Sequence, residues 1–387
     1  MGKLSFIILI ILLTATTVAG AVNLENLKKI DISKTDLWDP VLSPDGIKIA
    51  FVAYDDAHNQ QIFVINADGT GEKRLTTDVF KKWGLAWGKD KIAYVSLGKD
   101  GLEKIFVMNP DGTDNRQLIL DNTRQGSLPE DKSPEWAAPS WSPDGKFLLY
   151  TSLDEKAHPK MYIVNADGTG KKPVFEDGFR QWSPSFGPDG KNIVYLSYPG
   201  IKNIGELFIV DISGTARKQL TFDEINKNYP VWGPNGTIAY VSYENVSSSS
   251  EKIFAINQDG NGKRLLADSD YKQRSPSFSL DGSRFSYAAI DLPGKVKIAV
   301  GDTGISPVIT QSTPTSTATS TVTTTTPGIS ETTAPEKMPT VEKKPEENGS
   351  VLWTMFSILG IVVIILVAIL VITDFLKKKD SVNLKRK

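Results

Sequence analysis

The chain has 387 residues, of which 40% are hydrophobic and 23% are charged. Its 44 basic and 45 acidic residues leave a net charge of -1, which argues against a protein whose main work is to hold nucleic acid. The sequence has no cysteine, which excludes disulfides, thiolate nucleophiles and thiolate metal sites, and its two histidines leave little room for imidazole chemistry.

Residues 1–21 have the pattern of a secretory signal peptide. Lys3 supplies a positive start, residues 4–13 form an apolar run, and Ala19, Gly20 and Ala21 offer small residues for cleavage. An uncleaved N-terminal anchor is the alternative, but the apolar run is short for a membrane span. We therefore expect the part of the chain that follows to be exported.

One sequence unit recurs six times between residues 22 and 305. Each copy contains an aromatic or leucine anchor, a polar turn of the Pro-Asp-Gly type, and a run rich in β-forming residues. The anchors are Leu42, Trp87, Trp141, Phe186, Trp232 and Phe278. Successive anchors are 45, 54, 45, 46 and 46 residues apart.

A second motif follows each anchor, with decay in the sixth copy. It is a hydrophobic run that ends in an Asn-Ala-Asp-Gly-Thr type of turn, as at residues 62–70. Each unit thus contains four strands: one at the anchor, one after the first turn, this hydrophobic run, and a short one after the second turn. Four-stranded units repeated at this spacing are typical of propeller blades. The sequence thus predicts an all-β fold, a six-bladed β-propeller of four-stranded blades.

The closure of the ring stays open at this point, because the sixth unit lacks a clear fourth strand. Either residues 305–310 complete blade six, or residues 24–32 pair into it from the other end of the propeller. One of the two has to cover the open edge, since unpaired strand edges promote aggregation.

Two biased segments and a basic tail follow the propeller. Residues 306–350 are rich in Ser, Thr and Pro, with 16 Ser or Thr among the 24 residues from Thr310 to Thr333. This composition predicts an extended stalk, either O-glycosylated or a bare linker. Residues 351–373 are 23 uncharged residues, enough for one transmembrane helix. The basic tail at 374–387 predicts a cytoplasmic C-terminus and an extracellular propeller in the cell membrane.

The repeated unit, with turns such as WSPDG and motifs such as IFVMNPDGT, resembles the TolB-like family of WD-like propeller repeats. The resemblance covers about residues 36–302. It implies the fold but says little about function, since this repeat serves binding modules, envelope proteins and the propeller halves of peptidases. The domain that TolB carries before its propeller is not expected here, so a Tol-type role is not carried over. With stalk and anchor, the chain looks more like an archaeal cell-surface protein.

Propeller geometry sorts the loops onto two faces. The turns after the first and third strands of each blade are short and nearly identical, and their side is termed the turn face. The loops between the second and third strands, and the connections between blades, are individual, and their side is termed the variable face. Individual loops on a rigid scaffold often carry function, so we predict a ligand surface at the variable face and channel mouth. The candidate residues, expected to precede the first strands, are Trp83, Trp136, Arg180, Trp182, Tyr229 and Arg274.

These candidates have a structural alternative, because aromatic residues and arginines serve binding hot spots but also pack between blades or lie on a solvated rim. His58 and His158 lie in similar loops of nonadjacent blades, which disfavours a shared metal site. Each Asp-Gly turn offers too few carboxylates for a calcium loop. No metal or cofactor is predicted. N-glycosylation sequons begin at Asn235, Asn245 and Asn348.

The sequence favours a binding module over an enzyme. A hydrolase of the peptidase type would need a Gly-x-Ser-x-Gly elbow and a later histidine, and the sequence contains neither. Paired carboxylates for glycosidase or lyase chemistry cannot be told from surface charge. We predict a non-catalytic, membrane-anchored propeller that binds an extracellular protein or polysaccharide, with a structural role in the cell envelope as the alternative.

Overall fold

A computed structural model describes residues 22–305, except residues 33, 35, 122, 126–137, 155, 157, 199–203, 246–247, 249, 268–270 and 292–294. The predicted signal peptide, stalk, transmembrane segment and cytoplasmic tail lie outside the described residues. Among those that are described, none belongs to a helix that is long and apolar enough to cross a membrane.

The described residues form six four-stranded antiparallel sheets, with strands numbered β1 to β24 in chain order. The first strands of the blades are β2 (Leu37–Leu42), β6 (Lys82–Trp87), β10 (Ser140–Trp141), β14 (Gln181–Phe186), β18 (Lys227–Trp232) and β22 (Lys272–Phe278). The second strands are β3 (Lys48–Tyr54), β7 (Ile92–Leu97), β11 (Phe147–Leu153), β15 (Asn192–Ser197), β19 (Thr237–Tyr243) and β23 (Arg284–Ile290). The third strands are β4 (Gln60–Asn66), β8 (Glu103–Met108), β12 (Pro159–Asn165), β16 (Glu206–Asp211), β20 (Glu251–Asn257) and β24 (Val296–Asp302). The outer strands are β5 (Lys73–Arg74), β9 (Arg116–Gln117), β13 (Lys172–Pro173), β17 (Lys218–Gln219), β21 (Arg264–Leu265) and β1 (Glu25–Ile30).

The first strands contact one another around a closed ring: β2 touches β6 and β22, and the contacts continue through β10, β14 and β18. This ring confirms the predicted six-bladed propeller. Every anchor residue is the last residue of its first strand, so the repeat spacing had located the innermost strands correctly.

The N-terminal strand closes the ring, which settles the choice that the sequence left open. β1 pairs antiparallel with β24, with Lys28 opposite Val300 and Ile30 opposite Ile298. Blade six is therefore built from both ends of the propeller, in the order β22-β23-β24-β1. This pairing covers the edge of β24 that would otherwise be open.

The hydrophobic core is divided into six clusters, each lying between two neighbouring blades. Alternate residues of a strand face opposite sides of its sheet. Ala50 and Val52 of β3 therefore pack against blade two, whereas Ile49 and Phe51 pack against blade six. Because each sheet is buried on both sides, its strands consist of nearly continuous hydrophobic runs.

The turns after the first strands follow the chemistry expected of Pro-Asp-Gly. In blade one, Asp45 accepts hydrogen bonds from the Ser43 hydroxyl at 2.6 Å and the Ile47 N–H at 3.0 Å. Gly46 then takes the left-handed conformation, with φ of 68°. These contacts make the turn face regular and rigid.

Candidate binding site in the central channel

A bulge interrupts five of the six innermost strands. In each of the five, the irregular pairing spans the residue three positions before the anchor. The residues at this point have positive φ: Asp39 (52°), Gly84 (62°), Ser183 (49°), Tyr229 (50°) and Ser275 (48°). In four of these blades a proline follows directly, and proline disfavours the right-handed helical region for the residue before it. The bulges bend the strands and so set which residues line the channel.

A cavity of about 190 Å³ lies in the channel, lined by all six innermost strands. Its lining runs from the bulges to the first residues of the turns, which places it in the half of the channel next to the turn face. Its lining includes five prolines, four aromatic anchors and six serines, which supply hydroxyl groups. Asp39 and Lys89 are the charged residues in this lining.

Asp39 ties three blades together at the cavity wall. It is 4% exposed, and its Oδ2 accepts the N–H of Gly84 in blade two at 2.7 Å. Its Oδ1 accepts the hydroxyl of Ser275 in blade six at 3.2 Å. Asp39 was not among the residues predicted from the sequence, although one signal pointed to it. It is the charged member of a repeat position that holds Gly, Ala, Ser or Tyr in the other blades.

Serines directly before three of the anchors link neighbouring blades. The hydroxyl oxygens of Ser140, Ser185 and Ser277 accept the N–H groups of the next blades' anchors, Phe186, Trp232 and Leu42. The donor–acceptor distances are 3.0, 3.2 and 3.2 Å, and all three serines line the cavity. The same position holds apolar residues in the remaining blades (Val41, Ala86 and Val231).

Buried lysines fix the connections between blades on the variable face. The ammonium of Lys82 donates to the Phe80 carbonyl at 2.8 Å and to Asp78 at 2.6 Å. Burial lowers the pKa of Lys82, and the hydrogen bond and charge of Asp78 oppose that shift. Lys104 donates to the carbonyls of Asp121 and Thr123 in the next connection. The individual loops are thus held on a rigid frame.

The structure places the predicted ligand residues differently from expectation. Trp83, Trp182, Tyr229 and Arg274 lie within the first strands rather than before them, because strand pairing continues past the bulge toward the variable face. Arg180 directly precedes β14. Of these five residues, only Tyr229 lines the cavity, and Trp136 lies outside the described residues.

Three of these side chains are buried in the propeller. Trp83 and Tyr229 are each 8% exposed, and Trp182 is 3% exposed with its ring centre 4.1 Å from that of Tyr198. Arg274 is half-buried and donates to Glu251 at 2.7 Å. Burial of the aromatic rings matches the packing alternative. Trp83 and Trp182 lie on the variable-face side of the bulges, whereas Tyr229 lies at a bulge and lines the cavity.

The remaining candidates are spread over the molecule. His58 is exposed and stacks on Tyr54 with ring centres 5.0 Å apart, whereas His158 lies 3.8 Å from Asp154. In the described part of the chain, His, Asp and Glu form no group of three that could hold a metal ion. Asn235 is exposed in the turn after β18, and Asn245 is exposed after β19. Asn348 lies outside the described residues.

Comparison with known proteins agrees with this architecture. Residues 21–236 match the family model of the TolB beta propeller domain. A stretch of 57 residues is 32% identical to the Tol-Pal system protein TolB of Alcanivorax borkumensis, and it spans 15% of this chain and 13% of that protein.

Two solved structures share the fold. The crystal structure of TolB from Acinetobacter baumannii aligns with a TM-score of 0.52 and 20% identity, over 67% of this chain and 65% of that chain. A TolB candidate from Agrobacterium tumefaciens aligns with a TM-score of 0.51 and 17% identity, over 70% of this chain and 91% of that chain. At these identities the likeness shows the propeller fold.

Proposed function

The chain belongs to the TolB beta propeller domain family, and we propose that it is a non-catalytic binding module. Its channel cavity holds a segment of an extracellular protein partner. The observation that carries the proposal is the cavity of about 190 Å³ that all six blades line, with serines from three blades, prolines from five and aromatic anchors from four. Concave, largely apolar sites with a few placed polar groups are typical of ligand binding.

The chemistry of the lining supports binding over catalysis. Asp39, the carboxylate of the lining, has both oxygens engaged, by Gly84 and by Ser275. Glycosidase chemistry uses two carboxylates on either side of the scissile bond, and acyl transfer uses a nucleophile beside a base. His58 and His158 lie on loops away from the cavity, so neither is placed to activate a serine there.

We further propose that the propeller is displayed at the cell surface. The supporting features are the signal-like residues 1–21, the Ser/Thr/Pro-rich stalk at 306–350, the apolar residues 351–373 and the basic tail at 374–387. In this arrangement the stalk holds the cavity away from the membrane, and the sequons at Asn235, Asn245 and Asn348 are on the exported side. A polysaccharide ligand or a structural envelope role are the competing functions.

Photocrosslinking from the two faces of one blade tests the proposal. The full-length protein would carry a photoreactive amino acid at Lys89, an exposed residue at the cavity rim, or at Lys99, an exposed residue on the variable face of the same blade. We expect one protein to be captured from position 89 and not from position 99. The capture should disappear with a cavity-filling variant, Ser277→Phe, whose folding is verified by thermal melting.

Each other outcome selects a different function. Capture from position 99 alone would move the site to the variable face. Capture of glycan alone would favour a polysaccharide ligand. Capture of the same neighbours from both positions, unaffected by the filled cavity, would favour a structural role.

A further inference from the structure

Three serine hydroxyls in the cavity lining each accept one hydrogen bond and have their donor role open. Ser140, Ser185 and Ser277 each accept a backbone N–H from the next blade. Within the part of the chain that the structure describes, none of the three donates its own proton to another group. A serine hydroxyl carries one donor, and a hydroxyl that accepts a hydrogen bond is polarised into a better donor.

The other side of the channel shows what satisfies such a donor. Ser275 donates to Asp39, so the chain supplies an internal acceptor between blades six and one. Ser140 and Ser185 belong to blades three and four, which face blades six and one across a six-bladed ring. The lining contains no second carboxylate in its described residues, so Ser140 and Ser185 have no carboxylate acceptor on their side of the ring. Ser277 lies in blade six, where Gly84 and Ser275 already donate to the two oxygens of Asp39.

We propose that Ser140, Ser185 and Ser277 form a subsite for oxygen acceptors of the bound segment. The shared chemistry is that of a main-chain carbonyl or a C-terminal carboxylate, each of which accepts from hydroxyl donors. The apolar residues at the same repeat position, Val41 and Ala86 in blades one and two, offer contacts for apolar side chains. This inference rests on the proposed function and adds the chemistry of the ligand to it.

The chain itself supplies the substitution that tests the subsite. Ala86 occupies in blade two the position that the serines occupy in blades three, four and six, so the repeat accommodates alanine there. The test compares the wild-type chain with the triple variant Ser140→Ala, Ser185→Ala, Ser277→Ala. A matched variant with Thr at the three positions keeps the hydroxyls and controls for changes of shape.

Binding is followed by fluorine NMR of the full chain labelled with fluorotryptophan, using the signals of Trp87, Trp141 and Trp232 in the cavity lining. The probes are acetyl-dialanine amide, acetyl-dialanine with a free carboxylate, and butylamine as a donor without oxygen. We expect both peptides to shift these signals, and the dissociation constants of the alanine variant to rise about tenfold or more, from the loss of up to three hydrogen bonds. The threonine variant should bind as the wild type does.

The two peptide probes distinguish the sources of the acceptor. A loss confined to the free carboxylate identifies a chain terminus, and a loss confined to the amide identifies a main-chain carbonyl. The subsite is overturned by unchanged affinity of the alanine variant, by butylamine binding as tightly as the peptides, or by no probe binding at all. Photocapture from Lys89 that persists in the alanine variant would then leave the proposed function standing.

Discussion

The carboxylate of Asp39 accepts the backbone N–H of Gly84 at 2.7 Å, so a side chain of blade one satisfies a main-chain donor of blade two. Its second oxygen accepts from Ser275 of blade six, and the residue is 4% exposed. A buried donor left without an acceptor costs more than its hydrogen bond contributes in net terms. Asp39 therefore couples the stability of three consecutive blades at the point where the chain ends of the ring meet.

We expect Asp39→Asn to lower the free energy of unfolding by about 1–3 kcal/mol, because an amide can accept at one end only and leaves one neighbouring donor unmatched. Asparagine tolerates the left-handed conformation that Asp39 adopts, so the substitution adds no backbone strain. Urea unfolding measures the shift of the midpoint at constant m-value. Lys89→Gln, at the exposed rim of the same cavity, is the control and should leave the midpoint unchanged.

The repeat made the fold predictable because each blade must bury both sides of its sheet. The anchors and the turns at fixed spacing therefore predicted a strand around each anchor, although most of the innermost strands begin earlier than expected. The closing strand was harder, because Glu25–Ile30 has no copy of the repeat motif and exposes five of its six residues. Only the pairing register with β24 identifies it as the outer strand of blade six.

The site was less predictable because its lining depends on the register of the bulges, which a single strand does not reveal. Trp83 and Trp182 have the residue type of binding hot spots, but the chain buries them on the variable-face side of the bulges. Ser140 and Ser185 do not stand out in the sequence, because serine is common in turn-rich segments. They become candidate ligand-binding residues only in the folded propeller, where the neighbouring blade donates an N–H to each hydroxyl.

Deletion of residues 22–30 should open the propeller. It removes the strand that pairs with β24, and it removes Val22 and Ile30, which are 1% and 4% exposed in two of the core clusters. Loss of one large buried aliphatic side chain alone costs about 2–5 kcal/mol. We expect a lower melting temperature, measured by calorimetry, and aggregation through the free edge, measured by light scattering.

A synthetic peptide of residues 22–32 supplied in trans provides the control for that deletion. It should restore the melting temperature in a concentration-dependent way, since binding to the folded state stabilises it by mass action. The same peptide with Ile30→Asp should fail to do so. Equal melting temperatures for the intact and the truncated chain would show that β1 does not close the ring.

A buried ion pair between blades four and five allows a charge-exchange test. Lys227 Nζ lies 2.8 Å from Glu206 Oε2, and both residues are buried. Between blades three and four the equivalent positions hold Lys160 and Gln181, where the Gln181 side chain accepts the Met161 N–H and Lys160 donates to backbone carbonyls. Lys227→Gln alone should cost about 3–5 kcal/mol, because it leaves the buried Glu206 carboxylate without its counter-ion.

The double variant Glu206→Lys, Lys227→Gln recreates the arrangement of Lys160 and Gln181. We expect it to recover most of the stability that each single variant loses, measured by urea unfolding as a double-mutant cycle. Additive losses in the double variant would mean that the two junctions are not interchangeable. Glu206→Lys alone should be the least stable of the set, since it places two ammonium groups together in a buried site.

Acid should weaken the junction between blades two and three through Asp121. Partial burial would raise the pKa of Asp121, but hydrogen bonds from Lys171, Thr123 and Gln125 outweigh it and lower the pKa to about 2. The ordinary value for an unfolded aspartate is about 3.9, so the folded state favours the ionised carboxylate. Its contribution to stability is therefore fully present above about pH 4 and is lost as the pH falls toward 2.

The comparison of wild type with Asp121→Asn isolates this contribution. We expect a constant difference in the free energy of unfolding between pH 5 and 7, and a difference that shrinks progressively below pH 4, because both chains share every other titrating group. Lys171→Met removes the ammonium that lies 2.6 Å from Asp121 Oδ2, and it should reduce the same acid-dependent part while the carboxylate remains. A difference that stays constant down to pH 2 would show that the native carboxylate is not held in its ionised form, and that the contacts of Asp121 stabilise the junction independently of its charge.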